Sequence, residues 1–453
     1  MKKTTKNSKT KPVQLNLLNP KCAGIDVGAT ELFVCIAKNS SEHEVRSFST
    51  FTIDIRQMVK WLKESGVESV AMESTGVYWI APYEILEEAG FEVLLVNARF
   101  FKSVPGRKTD VQDCQWIQQL HSYGLLRGSF RPTGDIIELR SYVRQRSRLF
   151  ESASMQIQLM QKAFIQMNIQ LHHVISDIAG ETGMNIIHAI LKGIRDPKAL
   201  ANLSVAGCRK KKSLIEKALE GNYRKEHVFA LEQAHEAFEF FNKQILKCEK
   251  SIEDLLPALQ GEEPLLDRKK CVKKTPSKRS PYYFDGPTEL AKVTKADLTT
   301  IPGIDANTAM KIVSEIGTDM SRWDNAKAFA SWLGLCPGNK ISGGKILNSK
   351  TKPTDNRASQ ALRMASFTLY RSKTAIGAFL RRLRARLGAP KAITAVAHKL
   401  ARIIYRMLSD GTNYRDVGEN YYEQQYQARV IANLRKRAED FGFVLTPVNP
   451  TAN

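Results

Sequence analysis

Four carboxylates and one hydroxyl stand out by their surroundings. Asp26 lies inside the apolar run Ala23-Gly24-Ile25-Asp26-Val27-Gly28, where burying a carboxylate without compensation is costly, so its presence needs a reason. Glu73 follows Ser69-Val70-Ala71-Met72 and precedes Ser74-Thr75-Gly76, which puts it at the carboxyl end of a strand, where open α/β sheets hold their ligands. Asp110 and Asp113, in Lys108-Thr109-Asp110-Val111-Gln112-Asp113, are three positions apart and share one face of the helix they begin. Two carboxylates held that close repel unless a cation sits between them; alternatively, both simply favour the positive end of a helix dipole. Taken together, these hard oxygen donors from three elements suit Mg²⁺, or Mn²⁺ in its place, better than a softer metal. A two-metal site about 3.5–4 Å across would orient a nucleophile and stabilise a leaving oxygen in phosphodiester chemistry.

The hydroxyl is Ser342, in Pro337-Gly338-Asn339-Lys340-Ile341-Ser342-Gly343-Gly344-Lys345. The stretch fails as a phosphate-binding P-loop, because Gly344 stands where that motif requires Lys and no Ser or Thr follows Lys345. What remains is a serine in a glycine-rich loop open to a bulky substrate, able to attack phosphorus if a base or metal activates it, or else a plain turn former. Upstream, the stretch from Leu298 to Ala309 around Ile301-Pro302-Gly303-Ile304 reads as the turn of a helix-hairpin-helix, whose backbone N–H groups could approach a phosphate, or as an ordinary turn between helices.

Composition narrows the partner class. The 453 residues carry 68 Lys+Arg against 46 Asp+Glu, a formal charge of +22, which favours a polyanion such as DNA or RNA; a basic surface that merely aids solubility is the plain alternative. At 43% hydrophobic and 25% charged, the chain is neither disordered throughout nor a disulfide mini-protein. Its length predicts several domains at roughly 100–200 residues each. No apolar run approaches the roughly 20 residues of a membrane helix, and no signal-peptide pattern opens the chain, so a cytoplasmic protein is expected. The 7 cysteines lie at 22, 35, 114, 208, 248, 271 and 336 without a Cys-x-x-Cys pair and read as reduced thiols. His172-His173 aside, the histidines show no zinc spacing, so no zinc site is expected.

The elements that must position these groups follow from periodicity. Residues 1–20 read as a basic flexible tail and 21–128 as an α/β domain with a mixed sheet: strands over Ala23–Gly28, Leu32–Ala37, Arg46–Phe51, Ser69–Met72 and Phe91–Val96, and helices over Ile55–Ser65 and Tyr78–Ala89. Residues 129–260 read as a helical or coiled-coil region, with long periods over Ile136–Ile178 and Lys225–Leu256. Arg140, Arg144, Arg146 and Arg148 at its start read as a solvated face or a stripe for a phosphate backbone. A basic linker (261–287) precedes a mostly helical domain (288–415), whose helix over Asp355–Leu387 repeats arginine and suits groove or backbone contact, and a tail (416–453).

Gly24-Ile25-Asp26-Val27-Gly28, Glu73-Ser74-Thr75-Gly76, Lys108 to Asp113, Ile301 to Ile304 and Ser342-Gly343-Gly344 together resemble, in order and spacing, the motifs of DEDD-type insertion-sequence transposases, relatives of the Piv invertases that include RNA-guided bridge recombinases. The resemblance spans about Lys21 to Tyr414 and implies an RNase H-like (RuvC-like) N-terminal domain, a coiled-coil region and a mostly α-helical transposase domain. It implies that Asp26, Glu73, Asp110 and Asp113 hold Mg²⁺ and that Ser342 is the catalytic serine, attacking DNA to leave a covalent 5′-phosphoserine link. Donor and target DNA, a guiding bridge RNA, a homo-oligomeric dimer or tetramer, and a bacterial, nucleoid-associated setting are implied partners and context. This chain departs by its longer helical middle and basic linker, and by Cys114 where Ala is common. Two rivals are a junction-resolving nuclease of the same RuvC-like class that never uses Ser342, and a non-catalytic nucleic-acid-binding protein.

Overall fold

The computed structural model describes residues 16–39, 42–97, 109–132, 134–205, 207, 211–260 and 282–446. Most of the basic tail and of the 261–287 linker, Lys108, Cys208, Cys271 and residues 447–453 lie outside the described residues. Two compact units divide the chain, Met1–Arg131 and Pro132–Asn453.

In the first unit the elements run β1 (Cys22–Val27), β2 (Glu31–Ala37), β3 (His43–Ser49), α1 (Thr52–Glu64), β4 (Ser69–Glu73), α2 (Ile80–Glu88), β5 (Glu92–Val96) and α3 (Asp110–Ser122). One mixed sheet has the order β3-β2-β1-β4-β5, antiparallel through β1, β2 and β3 and parallel through β1, β4 and β5. Side chains alternate along β1: Ala23, Ile25 and Val27 join the core with Ile55, Met58 and Leu62 of α1 and Leu86 of α2, so Gly24 and Asp26 face the other way. On that other face α3 packs Ile117 against Ala71 and Val96. The third strand begins three residues before the expected Arg46 and ends at Ser49, because Thr52 already opens α1.

The second unit is almost wholly helical. It runs α4 (Asp135–Gln166), α5 (Leu171–Val174), α6 (Glu181–Leu191), α7 (Pro197–Ala201), α8 (Lys212–Ala218), α9 (Lys225–Leu255), α10 (Gly286–Thr294), α11 (Ala306–Ile316), α12 (Ala326–Trp332), β6 (Lys340–Ser342), β7 (Lys345–Asn348), α13 (Arg357–Thr368), α14 (Ala375–Leu387), α15 (Ala389–Asp410) and α16 (Gly418–Asp440). Helices α4 and α9 lie side by side and antiparallel: Arg146 meets Glu249 at one end, while Met160 and Phe164 share a core with Leu231 and Ala234 at the other. Helices α5 to α8 close that second end around Ile186, Ile190, Leu200 and Ile215.

Three helical expectations change. The first long helix stops at Gln166 instead of continuing to Ile178, because Asn168 takes φ 57° and turns the chain. The arginine-rich stretch from Asp355 to Leu387 is two helices: Thr374 caps α14 by accepting from the Gly377 N–H, and a Cβ at Gly377 would lie 2.3 Å from the Ser372 carbonyl oxygen. The expected C-terminal tail contains α16, which buries no side chain of its own. It is held to α14 instead by pairs of Arg381 with Glu419 and Arg382 with Glu423, and by the Arg382 guanidinium 3.2 Å over the Tyr426 ring. Two arginines of the expected DNA-facing stripe are thus engaged within the fold.

Of the four arginines at the start of α4, Arg140, Arg144 and Arg146 are joints between helices and not a phosphate stripe, whereas Arg148 is exposed, as a solvated face requires. Arg144 meets Glu315 of α11 with two hydrogen bonds of 2.7 Å. Arg146, 2% exposed, donates from Nε to Glu249 Oε1 at 2.7 Å and from Nη1 to Asn307 Oδ1 at 3.0 Å, with the Tyr282 ring centroid 4.0 Å away. One buried guanidinium therefore ties α4, α9 and α11. Removing one partner of such a pair leaves the other charge buried and costs about 3–5 kcal/mol. Arg146→Ala is expected to lower the melting transition of this unit sharply, and Arg146→Met with Glu249→Leu to recover most of the loss; equal melting of wild type and Arg146→Ala would show the joint carries no stability.

Candidate functional site

The end of the sheet where β1 and β4 finish gathers the acidic residues. Ile25 pairs with Met72, so one step further along the two parallel strands Asp26 stands beside Glu73, which itself pairs with Val96 of β5. Paired residues on neighbouring strands point to the same face. That face is the one α3 covers, since Gly24 and Ala71, two positions earlier on each strand, both meet α3.

Helix α3 runs antiparallel to β1. Its later turns lie at the start of the strands, where the Ser69 hydroxyl and His121 Nε2 are 3.0 Å apart and the Cys22 thiol donates to the Gln118 carbonyl at 3.7 Å. Its first turns therefore lie at the strand ends, with Asp110 and Asp113 opening the helix and Cys114 close enough to feel the charge of Asp26. Thr109 caps that end by accepting from the Gln112 N–H. The closeness of helix to strand depends on Gly24: a Cβ there would sit 2.4 Å from the Cys114 carbonyl oxygen and 2.3 Å from the Gln118 nitrogen.

Each carboxylate has a distinct setting. Glu73 is 2% exposed and accepts a 2.7 Å hydrogen bond from the Thr75 hydroxyl, which orients it from the loop that follows β4. Asp26 and Asp113 are half-buried and Asp110 is exposed, so the group grades from the sheet edge outward to solvent. Among the described residues, no three of the four have oxygens all within 4.8 Å of one another. Like charges keep apart without a cation, and a buried carboxylate at a strand end beside a second one is the donor chemistry a hard divalent ion fits.

The thiols around Gly24 are packing groups. Burial pushes the Cys22 thiol up to about 11, and a hydrogen bond with Cys35, burial and the Asp26 charge raise Cys114 further. Neither supplies a thiolate at neutral pH. Sequence reading overlooked Gly24 and Thr75 as positioning residues, although both lie within the quoted motifs; what singles them out is a backbone approach and a hydroxyl contact visible only in three dimensions.

Ser342 belongs to the second unit and sits at the end of β6, beside a two-residue turn. Gly343 and Gly344 take φ 54° and 76°, the doubly positive turn that suits a tight hairpin, and Ser342 pairs with Lys345 across it. The serine is therefore the last residue of a strand and not part of an irregular loop, and the strand β7 after it removes the helix a P-loop needs. Both strands are exposed along their length. At the base the Gly338 N–H donates to the Lys350 carbonyl at 3.0 Å, and Trp323, Phe329 and Trp332 cluster nearby in sequence, Trp323 accepting from the Tyr405 hydroxyl at 2.9 Å. The Gly303 turn has φ 85° and packs on α13, where a Cβ would lie 2.8 Å from the Ala365 carbonyl oxygen; Asp305 caps α11 by accepting from Thr308 N–H.

Comparison with known proteins gives two family matches. Residues 23–169 match the DEDD transposase model of the IS110 type, described as transposase, and residues 295–381 match the model described as transposase IS116/IS110/IS902 family. Together they span about half the chain, one over the acidic set and one over Ser342. No curated protein matches.

Gly24→Ala is expected to destabilise the first unit by roughly 1–3 kcal/mol, the range for forcing extra volume into a packed contact, and to speed hydrogen exchange of the α3 amides. Unchanged exchange in α3 would show that the helix does not depend on this contact.

Proposed function

Because the chain belongs to the IS110 family of DEDD transposases, we propose that it excises and inserts its own element by strand exchange through a serine–DNA link, with Asp26, Glu73, Asp110 and Asp113 as ligands of Mg²⁺ or Mn²⁺. The observation that carries this reading is the meeting of Asp26 and Glu73 at adjacent strand ends beneath the first turn of α3, which bears the other two acids. The strand order β3-β2-β1-β4-β5 supports an RNase H-like domain around them. Bound there, a hard divalent ion supplies charge neutralisation at a phosphate and polarises the attacking oxygen.

The residues of the chain have separate tasks. Glu73, fixed by Thr75, keeps its carboxylate at the sheet end, while Gly24 lets α3 bring Asp110 and Asp113 to the same end. Ser342, exposed beside a Gly-Gly turn, offers its Oγ to a duplex without steric hindrance, and Lys340 and Lys345 on the same hairpin add phosphate-attracting charge. Attack by Oγ on phosphorus forms the serine–phosphate bond as the bond to the 3′ oxygen breaks; the 3′ oxygen departs with the electron pair and becomes a 3′-hydroxyl. Attack by a second strand's 3′-hydroxyl reverses the step and frees the serine. Phosphodiester energy is conserved, so rejoining needs no ATP.

A bridge RNA that pairs with donor and target DNA, and a dimeric or tetrameric assembly, complete the proposal; the net charge of +22 supports a chain that binds nucleic acid. Among the described residues no helix is long and apolar enough to cross a membrane, and a protein that acts on chromosomal DNA works in the bacterial cytoplasm at the nucleoid.

Ser342→Ala is expected to abolish covalent protein–DNA adducts on a denaturing gel while leaving DNA retention in a mobility-shift assay intact; adducts that persist would refute the serine's role. Asp110→Asn is expected to remove divalent-dependent strand breakage without loss of thermal stability, since it relieves repulsion in the ion-free protein. A variant still cleaving at the wild-type rate would exclude Asp110 from the metal set.

A further inference from the structure

A second cluster of metal-ligating side chains lies in the helical unit. His188 is on α6, and His235 and Glu239 are one turn apart on α9. One ligand atom from each falls within 4.8 Å of the others. His188 Nε2 is 3.7 Å from Glu239 Oε1, His235 Nε2 is 3.8 Å from the same oxygen, and the imidazole rings meet edge to face with centroids 4.7 Å apart.

His235 makes the cluster more than a surface coincidence. The residue is 5% exposed, and its Nε2 is buried without a hydrogen-bond partner while aimed at the other two ligands. Leaving a buried polar atom unsatisfied is costly, so a polar atom kept so calls for an occupant. The 3.8 Å gap to Glu239 is too long for a hydrogen bond and leaves room for an ion between the two. His188 and Glu239 are 45% and 46% exposed, which provides an entry path and an open coordination position.

We propose that His188, His235 and Glu239 bind a borderline divalent cation, Zn²⁺ foremost, that clips α6 to α9. Two imidazole nitrogens and one carboxylate oxygen suit Zn²⁺, Co²⁺ or Ni²⁺ and disfavour Mg²⁺, whose preference is for oxygen alone. At metal–ligand lengths of about 2.0–2.1 Å, tetrahedral donors stand about 3.3 Å apart, so the two histidine–glutamate separations of 3.7 and 3.8 Å close by a few tenths of an ångström. Water fills the fourth position. The site is separate in ligands and chemistry from the acidic set of the first unit. Sequence spacing concealed it, because the only local pair is His235 with Glu239 at helical spacing and the third ligand arrives from another helix.

The test titrates Zn²⁺ into the purified full-length chain, freed of metals by chelation and held in excess Mg²⁺ to block oxygen-only sites, against a chromophoric chelator. The expected result is one tight equivalent per chain, a raised melting transition for the helical unit, and loss of both in His188→Gln and in Glu239→Gln, whose half-exposed positions preserve the fold. Co²⁺ in place of Zn²⁺ is expected to give visible ligand-field bands in the wild type that either substitution removes. Equal Zn²⁺ stoichiometry and melting response in wild type and both variants would overturn the proposal, as would no tight equivalent in the wild type.

Discussion

The missing side chain at residue 24 is the constraint on which the acidic end of the sheet depends. A strand and a helix are ordinarily separated by the side chains between them; here the α3 backbone lies directly on β1 at Gly24. That contact leaves α3 little freedom to slide, and its antiparallel run then carries Asp110 and Asp113 to the end where β1 and β4 present Asp26 and Glu73. Other interactions fasten the far end of the helix: His121 with Ser69, and Gln118 with Cys22. Position is thus set by a close backbone approach, the apolar packing of Ile117 and polar ties at the far end of the helix, none of them involving the carboxylates.

This separation of scaffold from chemistry matters because the acids themselves oppose the arrangement. Four negative groups converging on one end of a sheet repel, and Glu73 is also buried. The positive end of α3 and the Thr75 hydroxyl offset part of that cost. A charge cluster whose supports are apolar packing and backbone contact can persist without a cation between its members. In the transposase's second unit Ser342 follows a similar logic, since the hairpin that presents it is closed at its base by backbone bonds rather than by anything the serine does.

Much of the first unit was legible in the sequence because its strands are short apolar runs bounded by turn residues. Asp26 and Glu73 are conspicuous there as charges in or against such runs, and Asp110 with Asp113 by helical spacing. Other features were hidden because they depend on partners distant in the chain. Arg146 looks like its neighbours Arg140 and Arg148, and only the arrival of Glu249 and Asn307 from two other helices distinguishes it. Helix α16 has no fully buried side chain, so apolar periodicity had little signal to offer; its ties to α14 include ion pairs, cation–ring contacts and the Phe379–Tyr422 ring contact. The break between α13 and α14 follows from a cap at Thr374 that local propensity alone does not announce. For Ser342, the Gly-Gly pair marked a turn, but whether strand or loop led into it rested on pairing across the hairpin.

The central claim is that these four carboxylates hold divalent ions at the end of the sheet. Anomalous diffraction from crystals of the full chain with DNA, soaked in Mn²⁺, tests it most directly. The account predicts manganese peaks bounded by Asp26, Glu73, Asp110 and Asp113. Peaks confined to other residues, with DNA bound and this end of the sheet empty, would contradict it.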